Sequence, residues 1–309
     1  MEDHTFRYPV NLTYLRKRAE FLQKIRAFFA ARDVLEVETP LLAHAPVTDP
    51  YIDAVQTTGI EGYLQTSPEY AMKRLLAMGI GSCFQLCKAF RVDPPSRIHN
   101  AEFTILEFYR LGFNDHDLMN EVDQFLQEVF GFSPAIRLTY EEAFLKFLQL
   151  SALSSTSETL SHLFIQKFGP IPHSESFTKD DWLMLLFSHG IEPFLTGNSP
   201  YFIKDFPASQ AALARQKNAE VSARFEVYIN GVELGNGYHE LQDAAEQQRR
   251  FDTDLALRKK LNRPWVPVDH LLMQALEQGL PDCAGIALGV DRLVMITLQA
   301  NSIQEVTVI

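Results

Sequence analysis

The chain has 309 residues, of which 46% are hydrophobic, so it is long and apolar enough to bury a sizeable core. Its formal net charge of −11 argues against a protein whose main task is to bind a phosphate backbone through clustered Lys and Arg. Cys83, Cys87 and Cys283 are odd in number and lack paired spacing, which argues against a disulfide framework or a zinc site. The acidic N-terminus and the lack of an apolar run of ~20 residues predict a soluble cytoplasmic protein.

Periodicity and turn residues predict the elements of the first part of the chain. Apolar residues recur at helical spacing from residue 12 to 32, and a β-branched stretch ends at Pro40. Two strand-like runs then enclose a polar segment with two prolines, which predicts a hairpin with a long loop. In order, the predicted elements are a helix at 12–32, an extended segment at 34–39, a helix at 68–78, and strands at 83–91 and 103–111 around the loop 92–101.

Helices dominate the middle of the chain, and strands return after it. Thr139 and Glu142 match a capping box, and Asn230-Gly231 is a strong signal for a two-residue hairpin turn. The other predicted elements are helices at 115–130, from 139, at 178–189, 242–261, 269–279 and from 291, and strands at 201–206, 223–229, 232–238 and 285–290. The pattern predicts an α+β fold, with a mainly antiparallel sheet flanked by helices in a single domain over 1–309 and a helical insertion at about 139–195.

The hairpin around Asn230-Gly231 places two carboxylates on one face of the predicted sheet. A two-residue turn pairs Tyr228 with Glu233 and Glu226 with Gly235. Glu226 and Glu233 are then diagonal neighbours that can share a divalent cation such as Mg²⁺, and the alternative is a pair of solvated glutamates. The opposite face is apolar and consists of Val227, Ile229, Val232 and Leu234.

Two further stretches carry candidate chemistry. Alternation in the strand 103–111 places Phe103, Glu107 and Tyr109 on one face, where they can hold a planar base and an ammonium group. The alternative is an ordinary half-buried strand. Arg292 falls at the start of the last helix, where the macrodipole disfavours a cation unless an anion such as phosphate binds there. The alternative for Arg292 is a salt bridge that points away from the helix.

Taken together, these segments resemble the three signature motifs of class II aminoacyl-tRNA synthetases, in their usual order. The segment Glu36-Val37-Glu38-Thr39-Pro40 is similar to motif 1, Phe90-Arg91 through His99-Asn100-Ala101-Glu102-Phe103 to motif 2, and Gly289-Val290-Asp291-Arg292 to motif 3. Asp93 stands where the family usually has Glu, and Ala101 where it usually has Pro. The match is to the lysyl type, on Thr66-Ser67-Pro68-Glu69, the Glu107/Tyr109 pair and Glu233-Leu234-Gly235-Asn236-Gly237-Tyr238-His239-Glu240.

The resemblance implies a class II synthetase-like catalytic domain and a role for each candidate residue. Arg91 and Arg292 are the implied catalytic residues, on the α- and γ-phosphates of ATP, and Glu226 and Glu233 are the implied Mg²⁺ ligands. The residues implied around ATP are Arg91, Val92, Asp93, His99, Asn100, Phe103, Glu233, Leu234, Gly289 and Arg292. Those implied around the amino acid are Ser67, Pro68, Glu69, Glu107, Tyr109, Asn236, Glu240 and Ala287.

One feature separates the chain from the lysyl-tRNA synthetases, which carry an N-terminal anticodon-binding domain. Here the catalytic pattern begins almost at once, and Ala287 stands where synthetases usually have Gly. This shorter form resembles the paralogous branch that attaches β-lysine to a lysine side chain of elongation factor P. The resemblance implies lysine or β-lysine as substrate, elongation factor P rather than tRNA as acceptor, no membrane, and a homodimer. Two alternatives are a truncated tRNA or small-molecule ligase and an inactive amino-acid-sensing paralogue.

Overall fold

A computed structural model describes residues 11–308 of the chain. Its helices are α1 Leu12–Ala30, α2 Glu69–Ala77, α3 Asp115–Phe125, α4 Tyr140–Leu148, α5 Ser157–Phe168, α6 Lys179–Gly190, α7 Ala244–Lys260, α8 His270–Gly279 and α9 Val290–Thr297. Its strands are β1 Leu35–Glu36, β2 Leu42–Ala43, β3 Tyr63–Leu64, β4 Cys83–Phe90, β5 Glu102–Leu111, β6 Ile136–Thr139, β7 Tyr201–Lys204, β8 Arg224–Ile229, β9 Val232–His239 and β10 Cys283–Gly289.

Within the described residues, the main sheet has eight strands in the order β1-β4-β5-β10-β9-β8-β7-β6, and β2 pairs with β3 separately. The pairs β1/β4 and β6/β7 are parallel, and the other neighbours are antiparallel. The predicted α+β fold with a mainly antiparallel sheet is therefore confirmed. Because β10 lies between β5 and β9, segments that are far apart in the sequence become neighbours at the centre of the sheet.

One face of the sheet packs against α1, α3 and α9 to form the largest core. Phe29 of α1 stacks on Phe84 of β4, with ring centroids 4.5 Å apart, and also contacts Phe108 of β5. Leu106 belongs to the same buried cluster. Alternation along β5 therefore directs Glu107 to the opposite face, as the sequence predicted. Burial of the apolar face supplies most of the stabilisation, and it leaves the polar face free to carry a site.

A second core lies between α4, α5 and α6 and the strands β7 and β8. It contains stacked aromatic rings such as those of Tyr140 and Phe187, and it includes Tyr228 of β8. Both capping boxes of this region are formed, Thr139 with Glu142 and Thr178 with Asp181. The segment predicted as an insertion therefore shares its core with the main sheet.

Local details differ from the predicted elements. The extended segment predicted at 34–39 pairs only at Leu35–Glu36, because the chain leaves the edge of the sheet after Val37 donates its N–H to Phe84. The helix predicted at 115–130 changes from α to π geometry over Leu126–Phe130, and it ends at Gly131, whose φ of 79° is left-handed.

The β8–β9 hairpin has the predicted turn but not the whole predicted register. Asn230 and Gly231 both have positive φ, 50° and 69°, as a type I′ turn requires. The register shifts between Val227 and Tyr228, so Glu226 pairs with Asn236 and the prediction of a Glu226–Gly235 pair is wrong. A β-bulge explains the shift, because it gives β9 one residue without a partner. The predicted apolar face is confirmed, since Val227, Ile229, Val232 and Leu234 all belong to the main core.

Candidate active site

The polar face of the sheet carries a cleft made of two connected cavities. The smaller cavity lies over β5, β9 and β10, and it is lined by Arg91, Arg292 and Glu233 among others. The larger cavity has a volume of about 520 Å³, and Arg91, Glu226 and Glu233 line it. Arg91, Glu233, Asn236 and Ala287 line both cavities. The two arginines and the two glutamates predicted to act together therefore face one shared cleft.

Most residues predicted to surround ATP line the smaller cavity. They are Arg91, Asp93, His99, Asn100, Phe103, Glu233, Leu234, Gly289 and Arg292. Val92 is the exception, because its side chain is 59% exposed and lines neither cavity. Its backbone N–H instead donates to the carbonyl of Asp53, 2.9 Å away, which holds the start of the loop after β4. A role of Val92 in binding ATP therefore stays a prediction.

Arg91 is held without an acidic partner. Its guanidinium lies 5.2 Å from the centroid of the Phe103 ring, and it donates two long hydrogen bonds of 3.4 Å to the carbonyl of Thr66. Among residues 11–308 no carboxylate forms an ion pair with it. A buried or partly buried guanidinium gains most from a charged acceptor, so this arrangement is suited to an anionic ligand.

Arg292 is fixed at the start of α9 by two backbone carbonyls. Its Nη1 donates to the carbonyl of Glu233 at 2.7 Å, and its Nε donates to the carbonyl of Ile98 at 3.2 Å. Burial lowers the pKa of Arg292, because a low dielectric disfavours the charged form. Burial also lowers the pKa of His99, which lines the same cavity. Backbone carbonyls therefore hold both guanidinium groups at the smaller cavity.

The helix that carries Arg292 is fixed by a residue that the sequence reasoning missed. Asp291 is buried, forms an ion pair with Arg18 of α1, and accepts a hydrogen bond from the N–H of Thr104 at 2.8 Å. These contacts join α9 to α1 and to β5. Asp291 was visible in the motif, but its partners come from two distant elements, so no local signal identified them.

Glu226 and Glu233 lie on the same face of the hairpin, and their environments differ. Glu226 accepts hydrogen bonds from the guanidinium of Arg224 and the hydroxyl of Tyr228, and Asn236 lies 3.5 Å away. The carboxylate of Glu233 accepts no hydrogen bond within the described residues. Burial, and then repulsion from Glu226, raises the pKa of Glu233 to about 7. A cation between them would relieve this repulsion.

A pocket of buried carboxylates lies next to the larger cavity. Ser67 and Glu69 line the larger cavity itself. Glu107 is 1% exposed and accepts hydrogen bonds of 2.6 Å from the hydroxyls of Ser67 and Tyr109. Burial, and then repulsion from Glu69, raises the pKa of Glu107 to about 8. Burial likewise raises the pKa of Glu240 to about 8. Pro68 is buried before the first turn of α2 and lines neither cavity.

The structure adds Lys73 to this pocket, and the sequence reasoning did not identify it. Its Nζ lies 2.7 Å from Glu69 and 2.6 Å from Glu240, and its side chain is 3% exposed. Attraction to these two carboxylates outweighs burial and raises the pKa of Lys73. The spacing of four residues between Glu69 and Lys73 on a predicted helix was an available signal, but such pairs usually lie on exposed faces.

Gly285 of β10 lets the strands approach closely at the floor of this pocket. A Cβ at this position would lie 2.3 Å from the ring of Tyr109 and 3.0 Å from the carboxylate of Glu240. Gly235 is similarly constrained by the carbonyl of Ala287, at 2.5 Å. The glycines within these strands are therefore required by neighbouring protein atoms.

We expect Gly285→Ala to displace Tyr109 and to weaken by at least ~10-fold the binding of a ligand in this pocket, because overpacking of this size costs about 1–3 kcal/mol. Gly279→Ala serves as the control, since a Cβ there meets no atom within 4 Å, although its φ of +114° adds backbone strain. Unchanged ligand binding by a folded Gly285→Ala variant would contradict the close packing.

The C-terminal part of the described chain completes the smaller cavity. Ile303 lines it, and its N–H donates to the carbonyl of Arg97 at 2.9 Å. Gln304 donates from Nε2 to the carbonyl of Ser96 at 3.0 Å and to Oδ1 of Asn100 at 3.1 Å. These contacts hold the loop after β4 against the cavity. The sequence reasoning missed them, because the loop and its partners are far apart in the chain.

Comparison with known proteins agrees with this geometry. The family described as tRNA synthetases class II (D, K and N) matches residues 4–309. The chain therefore belongs to the class II tRNA synthetase family. None of the helices in residues 11–308 is long and apolar enough to cross a membrane.

Within this family, the chain is similar to proteins named elongation factor P–(R)-β-lysine ligase. The relative from Salmonella typhi is 46% identical over 316 residues, which cover 99% of this chain and 97% of the relative. The relative from Vibrio atlanticus is 44% identical over 315 residues, covering 98% and 97%. The resemblance stated from the sequence is thus confirmed.

Proposed function

We propose that the chain is an ATP-dependent ligase that activates (R)-β-lysine, or lysine, as an aminoacyl-adenylate and transfers it to a lysine side chain of elongation factor P. The observation that carries the proposal is the position of Arg91, Arg292 and Glu233 on one cavity, next to a buried pocket of carboxylates. The printed name of the relatives supports the same acceptor and amino acid.

In the first step, an oxygen of the amino-acid carboxylate bonds to the α-phosphorus of ATP, and pyrophosphate leaves. The carboxylate is already ionised near neutral pH, so this step requires no general base. Arg91 binds the α-phosphate and the carboxylate, and Arg292 binds the γ-phosphate. Both act by positioning the reactants and by neutralising charge that develops in the transition state. The ring of Phe103 and the amide of Asn100 contribute to the nucleotide site.

Magnesium fits this site through Glu233 and Glu226. No group of three or more His, Cys, Asp and Glu side chains in residues 11–308 could hold a metal ion, but Mg²⁺ is commonly held by one or two carboxylates together with substrate phosphates. Glu233 faces the cleft, and Glu226 must exchange its contact with Arg224 or Tyr228 to take part. When bound, Mg²⁺ neutralises phosphate charge.

The amino acid occupies the carboxylate pocket. Glu69 binds the ammonium group nearer the carboxylate, and Glu107, Tyr109 and Glu240 receive the terminal one. Oδ1 of Asn236 and Oε1 of Glu240 are buried and have no hydrogen-bond partner in the described structure, so each can accept from a ligand N–H. Ser67, Pro68 and Ala287 shape the pocket, and a neutral amino acid would leave its carboxylates unpaired.

This pocket predicts a pH dependence of amino-acid binding. An ammonium ligand needs ionised carboxylates, and the pKa of both Glu107 and Glu240 is raised to about 8 in the free protein. Binding below pH 8 must therefore release protons from these carboxyl groups. The KM for the diamino acid should rise as pH falls from 9 to 6. For each proton released on binding, the KM should rise by up to ~10-fold per pH unit. Steady-state exchange kinetics would measure it. A KM that is flat over this range would contradict the ionised pocket.

Exposed apolar side chains near Pro40 support a homodimer. Met78 is 80% exposed and Leu271 is 48% exposed, and both line one shallow groove together with Pro40. Exposed apolar side chains grouped in this way are typical of protein interfaces. A homodimer through this surface and a location in the cytoplasm both stay predictions.

The acceptor is tested by incubating the protein with ATP, radiolabelled (R)-β-lysine, and either elongation factor P or tRNA. We expect label on elongation factor P, lost when its acceptor lysine is replaced by Arg. Label on tRNA alone would favour the alternative of a truncated tRNA ligase. Absence of ATP–pyrophosphate exchange with both lysine isomers would favour an inactive paralogue, although Arg91, Arg292, Glu226 and Glu233 are all present.

A further inference from the structure

The carboxylate pocket contains a cation of its own. Lys73, from the second turn of α2, lies between Glu69 on the same helix and Glu240 at the end of β9. The contact with Glu69, at 2.7 Å, is a charge-assisted hydrogen bond, and the contact with Glu240, at 2.6 Å, is an ion pair. Lys73 is 2% exposed, so water contributes little to its solvation. A buried ammonium in this position is costly unless its partners stay ionised.

The charges of the occupied pocket balance when Lys73 is included. Ionised Glu69, Glu107 and Glu240 carry three negative charges and Lys73 carries one positive charge, which leaves a net −2 (−3 + 1). A diamino acid presents two ammonium groups to these side chains, while its carboxylate faces Arg91. The pocket without Lys73 would have one more negative charge than the ligand can neutralise.

We propose, on the basis of the function proposed above, that Lys73 is a positioning and specificity-determining residue that matches the pocket to a ligand with two ammonium groups. Lys73 bridges Glu69 and Glu240 and offsets the repulsion between them, while Oε1 of Glu240 stays available to the ligand. Oε1 of Glu240 lies close to the pocket floor, since a Cβ at Gly285 would be only 3.0 Å from it.

The proposal predicts that charge-balanced changes restore binding better than single changes. Lys73→Met leaves three carboxylates without the internal cation, and Glu240→Gln leaves a pocket of net −1. The double variant Lys73→Met/Glu240→Gln returns to a net −2, with Glu69 and Glu107 each free for one ammonium group. A cycle over these variants therefore isolates the charge match from the loss of each side chain.

We expect each single change to raise the Kd for the diamino acid at least ~10-fold. If the two changes acted independently, the Kd of the double variant would rise by the product of the two single increases. We expect its Kd to be at least ~5-fold lower than that product. The Kd would be measured by calorimetry with (R)-β-lysine in the absence of ATP. The Kd for ATP should change less than twofold in every variant, which a purely structural role of Lys73 would not predict. Lys204→Met is the matched control, because Lys204 forms an ion pair of 2.7 Å with Asp205 and lines neither cavity.

The outcomes separate this inference from the proposed function. The role of Lys73 would be overturned by either of two results. One is a double variant whose Kd rises by the full product of the two single increases. The other is a Lys73→Met variant that binds the diamino acid like the wild type. Should Lys73→Met fail to fold, the comparison between Glu240→Gln and the double variant still decides, since only a charge match makes the double variant the tighter binder. Wild-type protein that binds the diamino acid without supporting exchange would refute the proposed function and leave the charge match standing.

Discussion

Replacement of Arg91 by Ala is expected to lower the rate of ATP–pyrophosphate exchange by ~10²–10³-fold, the usual effect of losing one transition-state contact worth about 3–4 kcal/mol. The reason is that Arg91 lines both cavities and has no acidic partner among the described residues, so its charge is available to the reacting groups. The measurement is exchange of labelled pyrophosphate into ATP with saturating amino acid. The KM values would be determined alongside, since a loss confined to kcat indicates a contact made in the transition state.

Arg32→Ala is the matched control for this substitution. Arg32 also lies over a phenylalanine ring, with its guanidinium 3.5 Å from the centroid of Phe28, but it lies outside the cleft and pairs with Glu128. Its loss should reduce stability slightly and leave the exchange rate within about twofold. Equal losses of activity in the two variants would indicate that Arg91 acts through folding and not at the reacting atoms.

Replacement of Glu107 by Gln should raise the stability of the free protein and weaken its binding of the diamino acid. The pKa of Glu107 is about 8 in the fold and about 4.5 when unfolded, so the ionised group lowers the free energy of unfolding progressively as pH rises from 4.5 to 8. Glutamine removes this penalty, and the melting temperature at pH 9 should rise by ~2–6 °C, with little change below pH 4. The KM for the diamino acid should rise ~10–100-fold, because a hydrogen bond to a charged group contributes about 1.5–3 kcal/mol.

Glu121→Gln provides the opposite case. Glu121 is also buried with a raised pKa, chiefly through desolvation, but it pairs with Arg110 at 3.1 Å and lies outside the cleft. Its replacement touches no residue of the cleft, so the KM for the diamino acid should not change. A Glu107→Gln variant whose KM stays unchanged, as that of Glu121→Gln should, would show that Glu107 serves the fold instead of the ligand.

Local patterns in the sequence predicted the elements and the polar face of the site well. The type I′ turn at Asn230-Gly231, the capping box at Thr139 and the alternation around Glu107 each depend on residues within a few positions of one another. Such signals act through backbone geometry, which is why they can be read without knowing the tertiary structure. The resemblance to three motifs then predicted which of these separate segments would converge.

The contacts that were missed join residues that are distant in the sequence. Lys73 meets Glu240, Asp291 meets Arg18, and Gln304 meets Asn100 only because the tertiary fold brings their elements together. Neither periodicity nor spacing encodes such pairs. The register shift in the β8–β9 hairpin was missed for a different reason, since a β-bulge depends on how neighbouring strands twist and pack, and no residue type marks it uniquely.

The contact of Ile303 with the loop after β4 has a consequence for the timing of activity during synthesis. Residues Arg91 and Phe103 emerge from the ribosome about two hundred residues before Ile303, at ~5–20 residues per second. Until Ile303 and Gln304 have emerged, the loop that carries Asn100 lacks its supports and the nucleotide site is incomplete. A nascent chain that ends before residue 303 should therefore form no adenylate, so translation itself delays the proposed chemistry until this segment has been synthesised.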